Sequence, residues 1–317
     1  MHNKTEVAIL LATYNGERFL QEQLTSIFAQ SYQDFTLYVA DDASSDTTVE
    51  IVRKFQEKYP QRIHYTINDR RVGFVKNFEN LLEKTKEKYI FFCDQDDIWL
   101  PSKIEAELKA MKEAEQKFPN RPIMVHSDLS MIDENGVNVS NSYFSFRGYT
   151  LKMHKDLGHI LGPCGVIGNT MLINQHLRSR VLPFPSTLDA HDYWIAVVNE
   201  LFGIRVTLNT PLVAYRIHQT NTSNSTHSLK KKKKFFSRDI QLPNMHTKRK
   251  EFLPSLLPSI ENEKDKKILQ AYLRYLSFKE NPMKLYWSLL HYSLIKRSTF
   301  FRIKLFVKML WSNKYVK

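Results

Sequence analysis

The stretch YIFFCDQDDIWLP, residues 89–101, decides how the first half of the chain folds. Five apolar or aromatic residues have the composition of a strand buried on both faces. They run directly into three carboxylates, at Asp94, Asp96 and Asp97. Unpaired carboxylates beside a buried strand repel one another and lose roughly several kcal/mol of solvation. These three side chains therefore require a cation or a set of hydrogen-bond donors nearby.

Similar strand-like runs lie upstream of this stretch. Between them, apolar residues recur at helical spacing over about residues 19–28, 49–55 and 74–82, and Ser45 and Asp46 are candidate caps of the second helix. The alternation of strand and helix predicts an α/β fold whose parallel strands are joined by right-handed crossovers. The predicted strands are VAILLATY (7–14), FTLYVAD (35–41), RIHYTIN (62–68) and KYIFFCD (88–94).

Polar clusters follow three of these strands, at 13–16, 41–46 and 94–97. Any single cluster could simply cap the next helix, but three strand tips together favour a ligand crevice, because α/β sheets bind ligands at the carboxyl ends of their strands. The sequence has no GxGxxG motif after the first strand and no GxxxxGK[ST] motif, which removes the main support for dinucleotide and P-loop sites. Closely spaced carboxylates suit Mg²⁺ or Mn²⁺, which leave positions open for phosphate oxygens.

Three motifs resemble those of family 2 glycosyltransferases with the GT-A fold, and most closely the bacterial rhamnosyltransferase-like branch. They are ATYNG at 12–16, ADDASSDTT at 40–48 and DQDDIWLPSKI at 94–104, within a resemblance that covers about residues 6–220. The resemblance implies a Rossmann-like α/β domain with a mixed, mainly parallel sheet flanked by helices. It also implies an inverting, metal-dependent transferase that uses dTDP-rhamnose or a UDP-sugar to extend a glycan or lipid-linked glycan in bacterial surface polysaccharide synthesis. A non-catalytic nucleotide-sugar-binding partner protein is the alternative.

The resemblance assigns residues to the base side of the nucleotide. Tyr14 matches the aromatic residue that lies against the base, and Ala12, Thr13 and Asn15 belong to the same strand end. Asp42 matches the carboxylate that reads the pyrimidine N3–H.

Further residues are assigned to the ribose and the diphosphate. Asp94 is similar to the ribose-side carboxylate of the DxD motif, and Gln95 follows it in the nucleotide-binding set. Arg71 and Lys76, with Arg70 as a neighbour, are candidates for balancing the diphosphate charge.

The resemblance also assigns residues to the metal, the catalytic base and the acceptor. Asp96 matches the metal ligand and His218 a histidine near the metal and diphosphate, while the DQDD sequence leaves open which carboxylate is the main ligand. Asp192 matches the base that takes the proton of the acceptor hydroxyl, with a helix cap as its plain alternative and Asp189 as a substitute. Contacts with the acceptor or the sugar are assigned to Asp97, Trp99, His191 and Arg216.

The charge divides the chain into two parts. Residues 1–229 carry a formal net charge of −3 and residues 230–317 carry +16. We expect a transferase domain at 1–229, with a nucleotide half to about 130 and an acceptor half to 229, followed by a basic, mainly helical extension at 230–317. The extension begins with five lysines at 230–234 and interleaves aromatic residues with Lys and Arg at 284–311.

Two interpretations of this extension remain open. It lies on an anionic membrane surface, or it is a helical subdomain that packs on the core or on a second protomer as a homodimer contact. Nucleic acid is disfavoured because the acidic crevice would repel phosphates. The sequence shows no signal peptide, no spanning apolar run, no QxxRW motif and only two cysteines. We therefore expect a cytoplasmic, non-processive enzyme, peripheral on the inner face of the cell membrane.

Overall fold

The computed structural model describes residues 5–219, 248–277, 280–295 and 299–312, without the side chains of Phe300, Lys308, Trp311 and Ser312. The lysine run at 230–234 lies outside these residues. The described residues form two compact units. The first unit contains the residues up to 155, with 166–184 and 190–218, and the second contains 156–165, 185–189 and the residues beyond 218. The predicted domain boundary at 229 stays a prediction.

A nine-stranded sheet forms the centre of the first unit, with the order β3-β2-β1-β4-β8-β6-β9-β5 and β7 beside β6. The first four strands are parallel, β8 is antiparallel to both of its neighbours, and β6 and β9 are parallel. The predicted α/β class with a mixed, mainly parallel sheet is confirmed. The strands are β1 (Val7–Thr13), β2 (Phe35–Asp41), β3 (Ile63–Ile67), β4 (Tyr89–Cys93), β5 (Ile98–Trp99), β6 (Ile123–Ile132), β7 (Asn138–Ser140), β8 (Met171–Asn174) and β9 (Ile204–Arg216).

The helices surround this sheet in the first unit and make up most of the second. Helices α6 and α9 to α12 belong to the second unit, and short 3₁₀ turns lie at Gly168–Thr170 and Leu253–Ser259. The helices are α1 (Leu20–Phe28), α2 (Thr48–Lys58), α3 (Phe74–Lys84), α4 (Lys103–Lys117), α5 (Tyr143–Arg147), α6 (Leu157–Leu161), α7 (Gln175–Val181), α8 (His191–Phe202), α9 (Arg249–Phe252), α10 (Glu263–Ser277), α11 (Pro282–His291) and α12 (Thr299–Ser312).

The four strands predicted from sequence fold within one residue of their expected limits. Strands β1, β2 and β4 are almost completely buried, as continuous apolar runs require in a sheet covered on both faces. Helix α3 buries Phe78, Leu81 and Leu82 at the spacing of one helical face. Because β1, β2 and β4 run in parallel, the polar residues that follow them emerge at one edge of the sheet.

The second unit is a helical body held by its own polar and apolar contacts. The Arg249 guanidinium donates to the Tyr272 hydroxyl at 2.9 Å and to the Leu161 carbonyl at 3.3 Å, which ties α6 and α9 to α10. None of the helices in the described parts of the chain is long and apolar enough to cross a membrane.

A buried ion pair lies on α4 in the first unit. The Lys103 Nζ and Glu107 Oε1 atoms are 2.7 Å apart, and both side chains are completely buried. The ammonium group also lies 4.9 Å from the centroid of the Trp99 ring and 5.3 Å from that of Phe91. Burial raises the pKa of Glu107 to about 7, against the opposing influence of Lys103 and of the Ser127 hydroxyl. The pair therefore depends on both partners to offset the loss of hydration.

We expect the Lys103→Met substitution to lower the free energy of unfolding by about 3–5 kcal/mol at about pH 8, because it leaves the Glu107 carboxylate buried without its counter-charge. The double substitution Lys103→Met/Glu107→Gln should recover most of this loss. Urea unfolding measures both. Lys112→Met is the control, since Lys112 and Glu6 form an exposed pair at 3.7 Å whose loss changes stability by less than about 1 kcal/mol. Equal effects of Lys103→Met and Lys112→Met would contradict the prediction.

Candidate active site

Two residues at the strand tips adopt a left-handed backbone conformation. Asn15 has φ 44° two residues after β1, and Ala43 has φ 61° two residues after β2. Asparagine tolerates this region, but alanine is strained there, and such strain persists where the surrounding structure imposes it. The Asn15 amide N–H donates to the Ser44 hydroxyl at 2.9 Å, and the Ser45 amide donates to the Asn15 side chain at 2.9 Å. The two tips thus hold each other in their strained conformations.

The Gln95 side chain connects the tip of β4 to the tip of β1. Its Oε1 atom accepts from the Tyr14 amide at 2.8 Å, and its Nε2 atom donates to the Tyr14 carbonyl at 3.0 Å. A Cβ atom on Gly16 would lie 2.5 Å from this Oε1 atom, so a larger residue there would have to displace the Gln95 amide. Gln95 therefore fixes the backbone of the predicted base-side residues, and its predicted contact with the nucleotide itself stays a prediction.

Asp42 holds the loop that precedes α3. Its carboxylate is buried and accepts from the amides of Val72 at 2.7 Å and Gly73 at 2.8 Å, and from the Asn68 side chain at 3.1 Å. The loop places the Arg71 guanidinium 3.9 Å from the centroid of the Tyr14 ring. The structure thus brings Tyr14, Arg71 and Asp42 to the same strand tips. The predicted roles of Tyr14 and Asp42 in base recognition stay predictions.

The remaining residues predicted for the nucleotide occupy different environments. Ala12 and Thr13 are the last two residues of β1, and the Thr13 hydroxyl donates to the Asp41 carboxylate at 2.8 Å. The exposed Lys76 side chain pairs with the buried Glu79 carboxylate at 2.8 Å within α3. Its predicted contact with the diphosphate stays a prediction, and it would have to leave Glu79 to make it.

Three carboxylates converge beyond β4. Asp94 and Asp96 are half-buried, as is Asp192 in the first turn of α8. Burial, with smaller contributions from the negative charges of Asp96 and Asp192, raises the pKa of Asp94 to about 7. The structure therefore brings the Asp192 carboxylate into the electrostatic range of the acidic loop, and its predicted role as the base stays a prediction.

Asp192 is held at the start of α8. Its Oδ1 atom accepts from the Tyr193 amide at 2.7 Å. A Cβ atom on Gly168 would lie 3.6 Å from the Asp192 Cβ, so the 3₁₀ turn at Gly168–Thr170 passes close beside the carboxylate. Asp189 belongs to the second unit and stays an alternative base.

His218 and Asp96 form a direct contact. The His218 Nε2 and Asp96 Oδ2 atoms are 2.7 Å apart, and His218 is buried two residues after β9, with its ring centroid 5.0 Å from that of Phe19. The structure thus joins the two residues predicted to lie at the metal. His218 is placed to orient the Asp96 carboxylate or to share a ligand with it.

Arg216 is buried and donates to three different elements. Its guanidinium pairs with the Glu22 carboxylate on α1 at 2.5 Å and donates to the Asp96 carbonyl at 3.1 Å and the Glu134 carbonyl at 3.3 Å. The side chain therefore connects α1, the acidic loop and the turn after β6. Its predicted contact with acceptor or sugar stays a prediction, since these partners already occupy its donors.

Asp97 and Trp99 lie beneath the site. The Asp97 carboxylate is completely buried, accepts from the Arg216 amide at 2.9 Å and accepts from the Asn169 side chain. Burial raises the pKa of Asp97 well above its usual range, and the charges of Asp96 and Asp94 add to this. Trp99 is buried in β5. Their predicted contacts with the acceptor stay predictions and would require both side chains to become exposed.

His191, the first residue of α8, is buried among aromatic rings. Its ring centroid lies 4.2 Å from that of Phe78, 5.4 Å from that of Phe92 and 6.1 Å from that of Phe74. Neither ring nitrogen has a hydrogen-bond partner within the described chain. Burial lowers the pKa of His191 to about 4, although Asp192 opposes the shift. The imidazole is therefore neutral at neutral pH, and it adds no positive charge beside Asp192.

The acidic residues suit a cation that takes few protein ligands. Within the described residues, no three His, Cys, Asp or Glu side chains are grouped to hold a metal by themselves. Mg²⁺ and Mn²⁺ sites in phosphate-binding enzymes use one or two carboxylates and take their other ligands from phosphate oxygens and water. The concentration of negative charge that raises the pKa of Asp94 fits such an ion. The residues present are therefore compatible with the predicted Mn²⁺ or Mg²⁺.

Some contacts that shape the site carried no sequence signal. Glu22 has the position of an ordinary exposed helix residue, yet it pairs with Arg216. Asn169 lies in a glycine-containing turn, yet it binds Asp97. Both contacts join residues more than 70 positions apart, and only the folded structure brings such residues together.

The first comparison with known proteins concerns the family. The sequence model described as glycosyl transferase family 2 matches residues 8–167, just over half of the chain. The dTDP-rhamnosyl transferase RfbG of Shigella flexneri is 41% identical over 98 residues, which are 30% of this chain and 34% of that protein. The chain thus aligns with about a third of RfbG. The predicted family is confirmed.

Two further comparisons cover more of the chain. The putative teichuronic acid biosynthesis glycosyltransferase TuaG of Bacillus subtilis is 23% identical over 239 residues, 75% of this chain and 89% of that protein. The crystal structure of S. aureus TarS 1-349 in complex with UDP-GlcNAc superposes with a TM-score of 0.61 at 15% identity, covering 98% of this chain and 92% of that one. At this identity the TarS likeness shows the fold, and it confirms the expected GT-A architecture.

We expect the stability contributed by His191 to depend on pH in a defined direction. The folded-state pKa of about 4 lies below the ordinary value of 6.5, so the unfolded chain binds the proton more readily and stability falls as the pH is lowered from about 6.5 to 4. Relative to the His191→Phe variant, the parent should lose about 2 kcal/mol of unfolding free energy between about pH 7 and pH 5. Urea unfolding at both values measures the difference.

The exposed His176 provides the control for this experiment, because His176→Phe should give a curve parallel to that of the parent. Parallel curves for the parent and His191→Phe would contradict a buried, neutral His191.

Proposed function

Because the chain belongs to glycosyl transferase family 2, we propose that it transfers a sugar from a nucleotide diphosphate sugar to an acceptor hydroxyl, with inversion at the anomeric carbon. The acceptor oxygen forms a bond to the anomeric carbon while the bond from that carbon to the diphosphate oxygen breaks. The hydroxyl proton passes to a carboxylate of the protein, and the nucleoside diphosphate leaves with the bonding electrons.

The convergence of Asp192 with Asp94 and Asp96 carries this proposal. The negative charges of Asp96 and Asp192 both raise the pKa of Asp94, which supports a shared electrostatic environment for the three carboxylates. An inverting transfer needs this arrangement, because the base must approach the acceptor on the side of the anomeric carbon opposite the diphosphate. Asp192 lies in the first turn of α8 and is only partly buried, so its carboxylate is accessible from solvent.

Asp192 is the proposed general base. Its Oδ1 atom accepts from the Tyr193 amide, which orients the carboxylate and leaves lone pairs on both oxygens for an acceptor hydroxyl. The neutral His191 next to it does not compete as a charged partner.

The nucleotide is proposed to occupy the tips of β1 and β2. Tyr14 offers its ring to the base, and Arg71, which lies on that ring, offers a cation close to it. Asp42 has three of its acceptor positions filled by the loop at 68–73, and its remaining capacity is available to a pyrimidine N3–H. The two hydrogen bonds from the Gln95 side chain hold the Tyr14 backbone in position for the proposed contact with the base.

The residues proposed to hold Mn²⁺ or Mg²⁺ are Asp96, with Asp94 and His218 beside it. When bound, such an ion supplies positive charge that stabilises the departing diphosphate. Arg216 keeps this loop in position through the Asp96 carbonyl, while its own charge is compensated by Glu22.

The donor and the product are proposed from the relatives. RfbG is named a dTDP-rhamnosyl transferase, TarS was crystallised with UDP-GlcNAc and TuaG is assigned to teichuronic acid biosynthesis. We therefore propose dTDP-rhamnose or a UDP-sugar as donor, and a glycan or lipid-linked glycan of the bacterial surface as acceptor. We place this non-processive reaction on the inner face of the cell membrane, with the protein attached peripherally, because the last third of the chain is strongly basic.

We expect UDP or dTDP to bind in the presence of Mn²⁺, and Asp96→Ala to weaken this binding at least about tenfold, because the substitution removes the proposed metal ligand. Calorimetric titration with UDP, dTDP, GDP, CDP and ADP, with Mn²⁺ or with EDTA, measures the effect. Asp34→Ala is the control, since Asp34 is exposed at the amino end of β2. Nucleotide binding that is insensitive to both EDTA and Asp96→Ala would contradict the proposed metal site.

We expect Asp192→Asn to lower kcat by about 10²–10⁴-fold while the nucleotide Kd stays nearly unchanged, because the amide cannot take the acceptor proton. The measurement is the release of nucleoside diphosphate from dTDP-rhamnose and UDP-sugars in the presence of bacterial lipid extracts, with calorimetry for the Kd. A parent protein that binds these donors but releases no nucleoside diphosphate would instead support a non-catalytic nucleotide-sugar-binding protein.

A further inference from the structure

Helix α12 exposes a row of large apolar side chains. Ile303, Val307 and Leu310 are 58%, 46% and 41% exposed, and their spacing places them on one face of the helix. Leu305 and Met309 are buried and lie about half a turn away. The helix is therefore apolar on both faces, and its outer row is not needed to pack the second unit.

Helix α11 repeats this pattern. Trp287 is 64% exposed and Met283 is 49% exposed, one helical turn apart, while Leu285 and Leu289 are buried. Most of the Trp287 surface is in contact with water. Burial of this ring against a partner would therefore contribute a large favourable hydrophobic free energy. Met283, Trp287, Ile303, Val307 and Leu310 are together called the outer apolar rows below.

The two helices form one structural element. The ring centroids of Tyr286 and Phe306 are 4.8 Å apart, and the Tyr286 hydroxyl donates to the Arg302 carbonyl at 3.2 Å. The two helices therefore pack against each other through their inner faces, and the outer apolar rows stay exposed in this packed pair. Exposed apolar groups that cluster in this way mark interaction surfaces in soluble domains.

The charge around the outer rows identifies the chemistry of the partner. The sequences of α11 and α12 contain four Lys and Arg and no Asp or Glu, and Lys284 is exposed between Met283 and Trp287. A surface that combines apolar side chains with one sign of charge complements an anionic amphiphile. A second copy of the same surface would bring two sets of positive charges together, which opposes a symmetric homodimer through these helices.

We propose that the outer apolar rows of α11 and α12 dock onto an anionic lipid bilayer surface. The apolar side chains enter the boundary between headgroups and acyl chains, and the lysines and arginines remain at the level of the phosphates. Tryptophan suits this position because its ring is apolar and its N–H finds polar partners at the interface. The helices have the length and charge of interfacial elements, and none in the described residues is suited to cross the bilayer.

This inference deepens the proposed function. That the acceptor is lipid-linked rests on that proposal, whereas the docking surface is tested without any catalysis. An enzyme docked in this way would meet an acceptor at the surface on which the acceptor is anchored.

The experiment is flotation of the full-length protein with two kinds of vesicle. One contains phosphatidylcholine alone and the other contains about one third phosphatidylglycerol. We expect the parent to float with the anionic vesicles and to be released by salt. Trp287→Ser/Val307→Ser should lower the partition coefficient about tenfold or more, because it removes one large apolar anchor from each row while leaving every charge in place. Lys284→Glu should lower it about fivefold or more.

A matched variant controls for the loss of exposed apolar surface in general. Phe118→Ser/Val137→Ser also replaces one aromatic residue and one valine, which are 43% and 61% exposed in the first unit. This variant should float as the parent does. Circular dichroism and nucleotide titration confirm that each variant is folded, and a failure of nucleotide binding in the parent would bear on the proposed function alone.

Three results would overturn the proposal. One is that the parent fails to float with either vesicle. Another is that Trp287→Ser/Val307→Ser floats as well as the parent, which would place membrane attachment elsewhere, for example at the lysines of 230–234. The third is that the parent elutes without lipid at twice its mass of 37.4 kDa while Trp287→Ser/Val307→Ser elutes as a monomer, which would assign the outer rows to a second copy of the chain.

Discussion

The geometry of the site depends on the Asp97 carboxylate, which is completely buried directly beneath the acidic loop. One oxygen accepts from the Arg216 amide on β9 and the other from the Asn169 side chain in the turn at Gly168–Thr170. That turn passes beside Asp192, and the Arg216 side chain supports the Asp96 carbonyl. A single buried carboxylate thus connects the segment that bears the proposed metal ligands to the segment beside the proposed base.

The part of the fold that follows from local sequence was predictable. Strands β1 to β4 were expected within one residue, because continuous apolar runs between helical segments have few other solutions in a soluble chain. The place of β8 between β4 and β6 was not predicted, and neither was the pairing of the two-residue β5 with β9. Short strands with a distant partner have no periodicity of their own, so their pairing is decided by the rest of the sheet.

In the candidate site too, the residues within sequence motifs were predictable, whereas their contacts with distant residues were not. The resemblance named Tyr14, Asp42, Asp94 and Asp96, which all follow buried strands and arrive at one edge of the sheet. It could not indicate that Asp42 would be engaged by the amides of the next loop, because backbone donors leave no trace in a sequence. The same holds for Asp97, whose charge predicts exposure until Asn169 and the Arg216 amide are known to surround it.

The buried pair of Lys103 and Glu107 has a consequence for the history of this sequence. Either side chain alone would be an isolated charge in the core beside Trp99 and Phe91, so a lineage that lost one would pass through a poorly folded intermediate. The two positions should therefore change together among descendants of this chain, or not change at all. Correlated substitution at positions 103 and 107 would show that folding stability, independently of catalysis, limits how this part of the sequence can change.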